Sequence, residues 1–307
     1  MSAEEHEPVH DLPHELRFAL AEGDAVDAPA GLRERIVSSA AAARIPGRAV
    51  DPPARISGTE TFRRIVARVD ALLRELTPDE WARPTIRGLD VQGLVGHLVG
   101  VEESFLTVLE GGADPAEVDG HIASTDGTAL AQAGRSPEAT LQDWVERTSA
   151  TLARVAELDP TGELAFYATT MPLDRLLSTR GFELWIHEED IRRATGRPLA
   201  DPDPEALAQM VDVAISLLPL GTALVGRNQP GRTARVVLTG PAGGTWDVNL
   251  DGSEPPRRAD ARVVVGAADF CRVLGDREDA RSIGAIIDGA ADVAADLLVG
   301  AAALALD

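Results

Sequence analysis

The 307-residue chain contains no lysine and one cysteine, Cys271. Without an ε-amine, Schiff-base catalysis and phosphate-cradling P-loop chemistry are excluded. A lone thiol forms neither an intrachain disulfide nor a cysteine-rich metal cage, which fits a reducing, cytoplasmic setting. Positive charge is scarce: 29 arginines stand against 50 acidic residues, for a formal net charge of −21. A field of that sign repels phosphate backbones and anionic headgroups, so no nucleic acid and no membrane surface is expected as a general partner. Aromatics are few, with Tyr167 the sole tyrosine. No apolar run approaches the ~18 residues that signal a membrane span, and the polar, acidic start lacks a signal-peptide pattern. What remains is an ordinary globular composition, 44% hydrophobic and 26% charged, in a length that suggests two domains.

Residues 1–54 read as an acidic extension with one short helix, Leu32 to Arg44, closed by the proline-rich link IPGRAVDPPAR. His6, His10 and His14 are spaced for one helix face, but Pro8 and Pro13 interrupt such a helix, and the segment reads as a solvated tail. Residues 55–203 carry four long amphipathic patterns. The first starts at a capping box, Ser57 and Glu60, and buries Phe62, Ile65, Val66, Val69, Leu73 and Leu76. The second follows an Asp90 N-cap to about Glu110, and the third opens at Ser136–Pro137 after a connection rich in Gly and Asp. The fourth runs from about Leu173 to Thr195 and stops at Gly196. Four such helices predict a four-helix bundle. Residues 204–307 change character. A helix over 204–218, β-like runs at 234–240, 245–250 and 261–266, and two Ala-rich helices predict a small α+β domain with an antiparallel sheet.

The fourth helix holds an internal conflict. At 100° per residue, Arg180, Glu183 and His187 project into the sector of Leu176, Leu177, Leu184 and Ile191. Ionisable groups on a core-facing stripe carry a desolvation penalty of several kcal/mol unless it is compensated. Glu183 and His187, four residues apart, converge from adjacent turns. Either they hydrogen-bond to each other, or the helix is rotated so that they lie at its edge, or a divalent cation sits between them. His97 lies beside the apolar stripe of the second helix, where it serves either as a packed core residue or as a third ligand. Together His97, Glu183 and His187 make a His2Glu set, the type used by catalytic zinc with one coordination position open; related sets hold other divalent metals. Trp81, Trp185 and Cys271 read as core residues.

WARPTIRGLDVQGLVGHLVGVEESF and STRGFELWIHEEDIRRATGRP resemble the mycothiol-dependent maleylpyruvate isomerase family, within the DinB-like metal-binding bundles of actinobacteria. The resemblance covers about residues 57–307. It matches Trp81, Pro84, Thr85 and His97 to the helix of the first ligand, and Glu183 and His187, flanked by Arg180 and Asp190, to the other two. It implies a DinB-like four-helix bundle followed by a sterol-carrier-like α+β domain, with mainly helical content overall. It also implies zinc or another divalent metal and mycothiol as cofactors. ADFCRVLGDRED resembles a segment of the C-terminal module whose arginine helps complete the site; Arg277 matches best and Arg272 second. Arg277, with Arg180, is therefore the expected catalytic cation for a substrate carboxylate. The implied partners are a low-molecular-weight thiol and a small electrophile or unsaturated acid. The implied reactions are thiol transfer to the electrophile and cis–trans isomerisation of maleylpyruvate. A non-catalytic, metal-stabilised protein that binds a small ligand or a regulatory partner is the alternative.

Overall fold

The computed structural model describes residues 52–305, apart from 168 and 255–257. The helix expected over 32–44 and the three tail histidines lie outside the described residues. Helix α1, Gly58–Glu75, starts where Ser57 Oγ accepts the Glu60 N–H at 3.1 Å. The reciprocal half of the capping box is replaced by ion pairs, because the Glu60 carboxylate is held by Arg63 and Arg64. After the single turn α2, Pro78–Trp81, helix α3 spans Val91–Leu109, with Asp90 Oδ1 accepting the Gly93 N–H at 2.7 Å.

The connection rich in Gly and Asp is itself folded, into α4, Pro115–Asp119, and α5, His121–Ala131. The residues that signal a loop here supply the helix ends. Asp114 caps α4, and Gly120, at φ 76°, turns the chain into α5 in a conformation that favours glycine. Helix α5 lies close on α3 because a Cβ at Gly100 would stand 2.1 Å from Thr128 Oγ1. Helix α6, Pro137–Val155, begins at the Ser136 cap. An unanticipated hairpin, β1 (Glu163–Phe166) and β2 (Thr169–Pro172), pairs Leu164 with Met171 and leads into α7, Leu173–Thr195. The bundle packs α1 on α7 and α3 on α6, with α3 also reaching α7.

Helix α8, Pro204–Leu224, continues through Pro219, where the sequence suggests a stop. The last turn is held from outside: Thr222 is fully buried and its hydroxyl lies 2.7 Å from the Leu250 carbonyl. By length and composition α8 is apolar enough to cross a membrane, but half of it is buried within the protein. The sheet contains β3 (Thr233–Thr239), β4 (Gly244–Asn249), β5 (Ala261–Gly266) and β6 (Ile286–Gly289), in the order β4-β3-β5-β6. The β3–β4 hairpin is as expected. The sheet as a whole is mixed rather than antiparallel, because β5 returns parallel to β3, pairing Val236 with Val263. Strand β6 is exposed along its length, so it carries no apolar alternation by which to find it. Helices α9, Ala267–Leu274, and α10, Ala291–Ala302, cover the face carrying Val236, Leu238, Val263 and Val265. One hydrophobic core runs from Phe62 to Ala301, so the change of architecture near residue 203 is not a gap in packing.

Candidate metal centre

The stripe conflict resolves inside the bundle. His97 on α3 and Glu183 and His187 on α7 each offer a ligand atom, all within 4.8 Å of one another. The two imidazole rings meet edge to face, with centroids 5.4 Å apart. His97 and His187 are fully buried, while Glu183 keeps 17% of its side chain exposed.

Each candidate ligand is oriented from behind. His97 Nδ1 lies 2.7 Å from Thr125 Oγ1, whose single proton is used on the Ile122 carbonyl at 2.9 Å. The hydroxyl therefore accepts, the imidazole proton sits on Nδ1, and the lone pair of Nε2 faces inward. That Nε2 is buried and has no hydrogen-bond partner among the described residues. Burial, and next the neighbouring His187, push the His97 pKa down to about 2, so its ring is neutral at pH 7. His187 Nδ1 lies 3.1 Å from Asp190 Oδ2, an acceptor-only group, so Nδ1 donates there and Nε2 points away from the carboxylate.

Glu183 is kept ionised. Burial alone would raise its pKa, but the Arg180 guanidinium in contact with it holds it well below the usual carboxylate range. Arg180 is fully buried and also donates to Glu102 Oε1 at 2.6 Å and to the Tyr167 hydroxyl at 3.1 Å. The other Glu102 oxygen accepts from Thr151 at 2.7 Å, so α3, α6 and α7 are joined through one carboxylate. Arg277, on the loop after α9, binds both Asp190 oxygens at 2.8 and 2.9 Å. Burial would raise Asp190, but His187 and Arg277 hold its pKa below the ordinary aspartate value. Arg277 thus backs His187 through Asp190. Arg272 instead ties Glu189 and Asp201 and lies over Trp185 at 5.7 Å. Trp81, Trp185 and Cys271 are core residues, and burial raises the Cys271 thiol pKa.

A cavity of about 80 Å³ opens beside the ligands, lined at one end by His121, Tyr167, Glu183 and His187 and elsewhere by mostly apolar groups, among them Phe182, Ile186, Leu274 and Leu304. Neither Arg180 nor Arg277 lines it. Two lining residues were not legible in the sequence. His121, within the connection rich in Gly and Asp, heads α5 with Nε2 3.4 Å from Glu183 Oε1 and its ring 5.2 Å from that of His97. Tyr167 sits on the β1–β2 turn at φ 54°, its N–H held by Asp114 Oδ2 at 2.8 Å, and its hydroxyl reaches Glu183 at 3.3 Å. Asp114 followed by Pro115, an N-cap with proline at the first helical position, is the local signal that a helix starts in this stretch.

Fold and site together define a helical bundle with an internal His2Glu pocket, continued by an α+β layer. Residues 62–192 match the family described as the mycothiol maleylpyruvate isomerase N-terminal domain. The fold resembles the crystal structure of a mycothiol-dependent maleylpyruvate isomerase, with a TM-score of 0.54 at 14% identity over 75% of this chain and 91% of that one. A mutant of such an isomerase gives a TM-score of 0.54 at 13% identity, with the same coverage. No curated protein matches this chain.

Proposed function

We propose that this chain is a divalent-metal-dependent enzyme that uses mycothiol as its thiol cofactor, either transferring the thiol to an electrophile or isomerising a maleylpyruvate-type cis double bond. The observation that carries this reading is the convergence of His97, Glu183 and His187 beside a cavity. A buried, partnerless imidazole nitrogen and an ionised carboxylate fit a divalent cation, and the donor set suits zinc. Bound there, the cation supplies Lewis acidity that keeps a thiol as its nucleophilic thiolate at neutral pH.

The chain's own residues do the rest. Thr125 and Asp190 fix the two imidazole tautomers, and Arg180 keeps Glu183 charged. His121, at the cavity wall, is placed to take up a thiol proton, and the Tyr167 hydroxyl lies within 3.4 Å of both Glu183 oxygens. Phe182, Ile186, Leu274 and Leu304 limit water at the reacting end. Arg277 acts as a positioning residue for His187 through Asp190.

The test is to load the protein with zinc, add mycothiol, and follow thiol consumption with 1-chloro-2,4-dinitrobenzene and fumarylpyruvate formation from maleylpyruvate. Metal- and mycothiol-dependent turnover of either supports the reading. Metal-loaded protein that binds no mycothiol and turns over neither would leave a ligand-binding module instead.

A further inference from the structure

We infer that the electrophile served by this site is neutral, apolar and elongated, and is not a carboxylate. This rests on the thiol-transfer reading above and chooses between its two branches.

The first observation is the wall. Next to this cavity is a second one of about 60 Å³, and the two share Thr179, Phe182, Leu274 and Leu304 as walls. The second lies between α7 and α8, where its remaining lining, including Met210 and Leu217, is entirely apolar. Even the smaller cavity exceeds several-fold the ~10–15 Å³ that one water needs. The titratable groups thus line the first cavity alone, and an apolar space adjoins it across the shared wall. A ligand that fits it has a reactive carbon at the His187 end and a hydrocarbon or aryl body toward Met210.

The second observation is charge. The chain has no lysine, and no arginine is among the described residues that line either cavity. Arg87, whose charge reaches His97, lines neither cavity, and the two arginines expected to serve a carboxylate are committed elsewhere. Arg180 is fully buried between Glu102 and Glu183, and Arg277 holds both oxygens of Asp190. Glu183 would halve the charge of a divalent cation at the site, and a thiolate would cancel the remainder. A substrate carboxylate in this space would be desolvated without a partner, beside the Glu183 side chain, inside a protein of net charge −21. A neutral electrophile meets none of these costs. In the transfer the thiol gives up its proton, sulfur bonds to the electrophilic carbon and a group such as chloride leaves with the displaced electron pair; no oxidant or reductant is needed.

The experiment compares 1-chloro-2,4-dinitrobenzene with 4-chloro-3,5-dinitrobenzoate, using zinc-loaded protein and mycothiol, each rate divided by its uncatalysed rate. The neutral substrate should be favoured at least tenfold. In Leu304→Arg, which places a cation on the shared wall, the carboxylate should gain at least tenfold relative to the neutral substrate, whereas Leu304→Gln, which adds no charge, should shift the ratio far less. Binding is read separately by the fluorescence of N-phenyl-1-naphthylamine, which requires neither metal nor thiol. The probe should bind saturably and be displaced by the neutral aryl chloride but not by the benzoate. Equal or faster turnover of the benzoate, or its equal displacement of the probe, overturns the inference while leaving the thiol-transfer reading intact. Selective displacement without any turnover sinks that reading and leaves the apolar site standing.

Discussion

Replacing Arg277 by alanine separates two roles that the sequence alone leaves superimposed. A substrate clamp would act on KM and leave the metal in place. The structure puts the guanidinium on Asp190 instead, in a bidentate pair with side chains only 10% and 3% exposed, and Asp190 in turn orients His187. Partners behind a metal-binding histidine typically contribute 10–100-fold in metal affinity, or about 1.4–2.7 kcal/mol. Loss of one partner of a buried charge pair adds a folding cost of about 3 kcal/mol. Arg277→Ala should therefore weaken zinc binding 10–100-fold in competition with a chromophoric chelator, and lower the urea midpoint of the metal-free protein. Arg277→Lys, which keeps the charge but loses the two-pronged geometry, should fall between. Unchanged zinc affinity together with a raised KM for an anionic substrate would refute the positioning argument and restore the clamp.

Glu102→Ala removes a fully buried carboxylate that joins Arg180 on α7 to Thr151 on α6. It should cost about 3–5 kcal/mol in urea unfolding, and a loss below ~1 kcal/mol would contradict the role given to that carboxylate. His97 predicts a pH effect. Its folded pKa is depressed to about 2, burial being the main cause, against an unfolded value near 6.5. The unfolded chain therefore binds the extra proton below about pH 6.5, and stability falls as the pH drops through that window toward the folded value. For the metal-free protein this one group contributes a slope of about 1.4 kcal/mol per pH unit. His97→Gln should flatten the urea-derived stability profile between pH 6 and 5 by about that amount, and an unchanged slope would mean that the ring is not held neutral.

The bundle was legible because its signals are local and agree. Ser57, Asp90 and Ser136 cap the helices that they precede, and the apolar stripes match the buried faces. The convergence of the candidate ligands was legible for the opposite reason: Glu183 and His187 break the stripe, and a conflict with periodicity directs attention to them. Three features were hidden. His121 and Tyr167 reach the cavity through α5 and the β1–β2 turn, whose Gly, Asp and Thr content reads as loop. The parallel β3–β5 pairing depends on where the chain re-enters the sheet, and β6 has no buried face. Local patterns carry neither kind of information. The attachment of Arg277 to Asp190 spans 87 residues, a pairing that no spacing rule reaches.

The account rests on a metal held by His97, Glu183 and His187, and elemental analysis of the protein folded with zinc tests it most directly. It predicts about one divalent ion per chain, lost in His187→Ala and in His97→Ala while the helical circular dichroism signal is retained. A wild-type protein that folds with equal stability whether or not zinc is present, and that retains none after gel filtration, would contradict it.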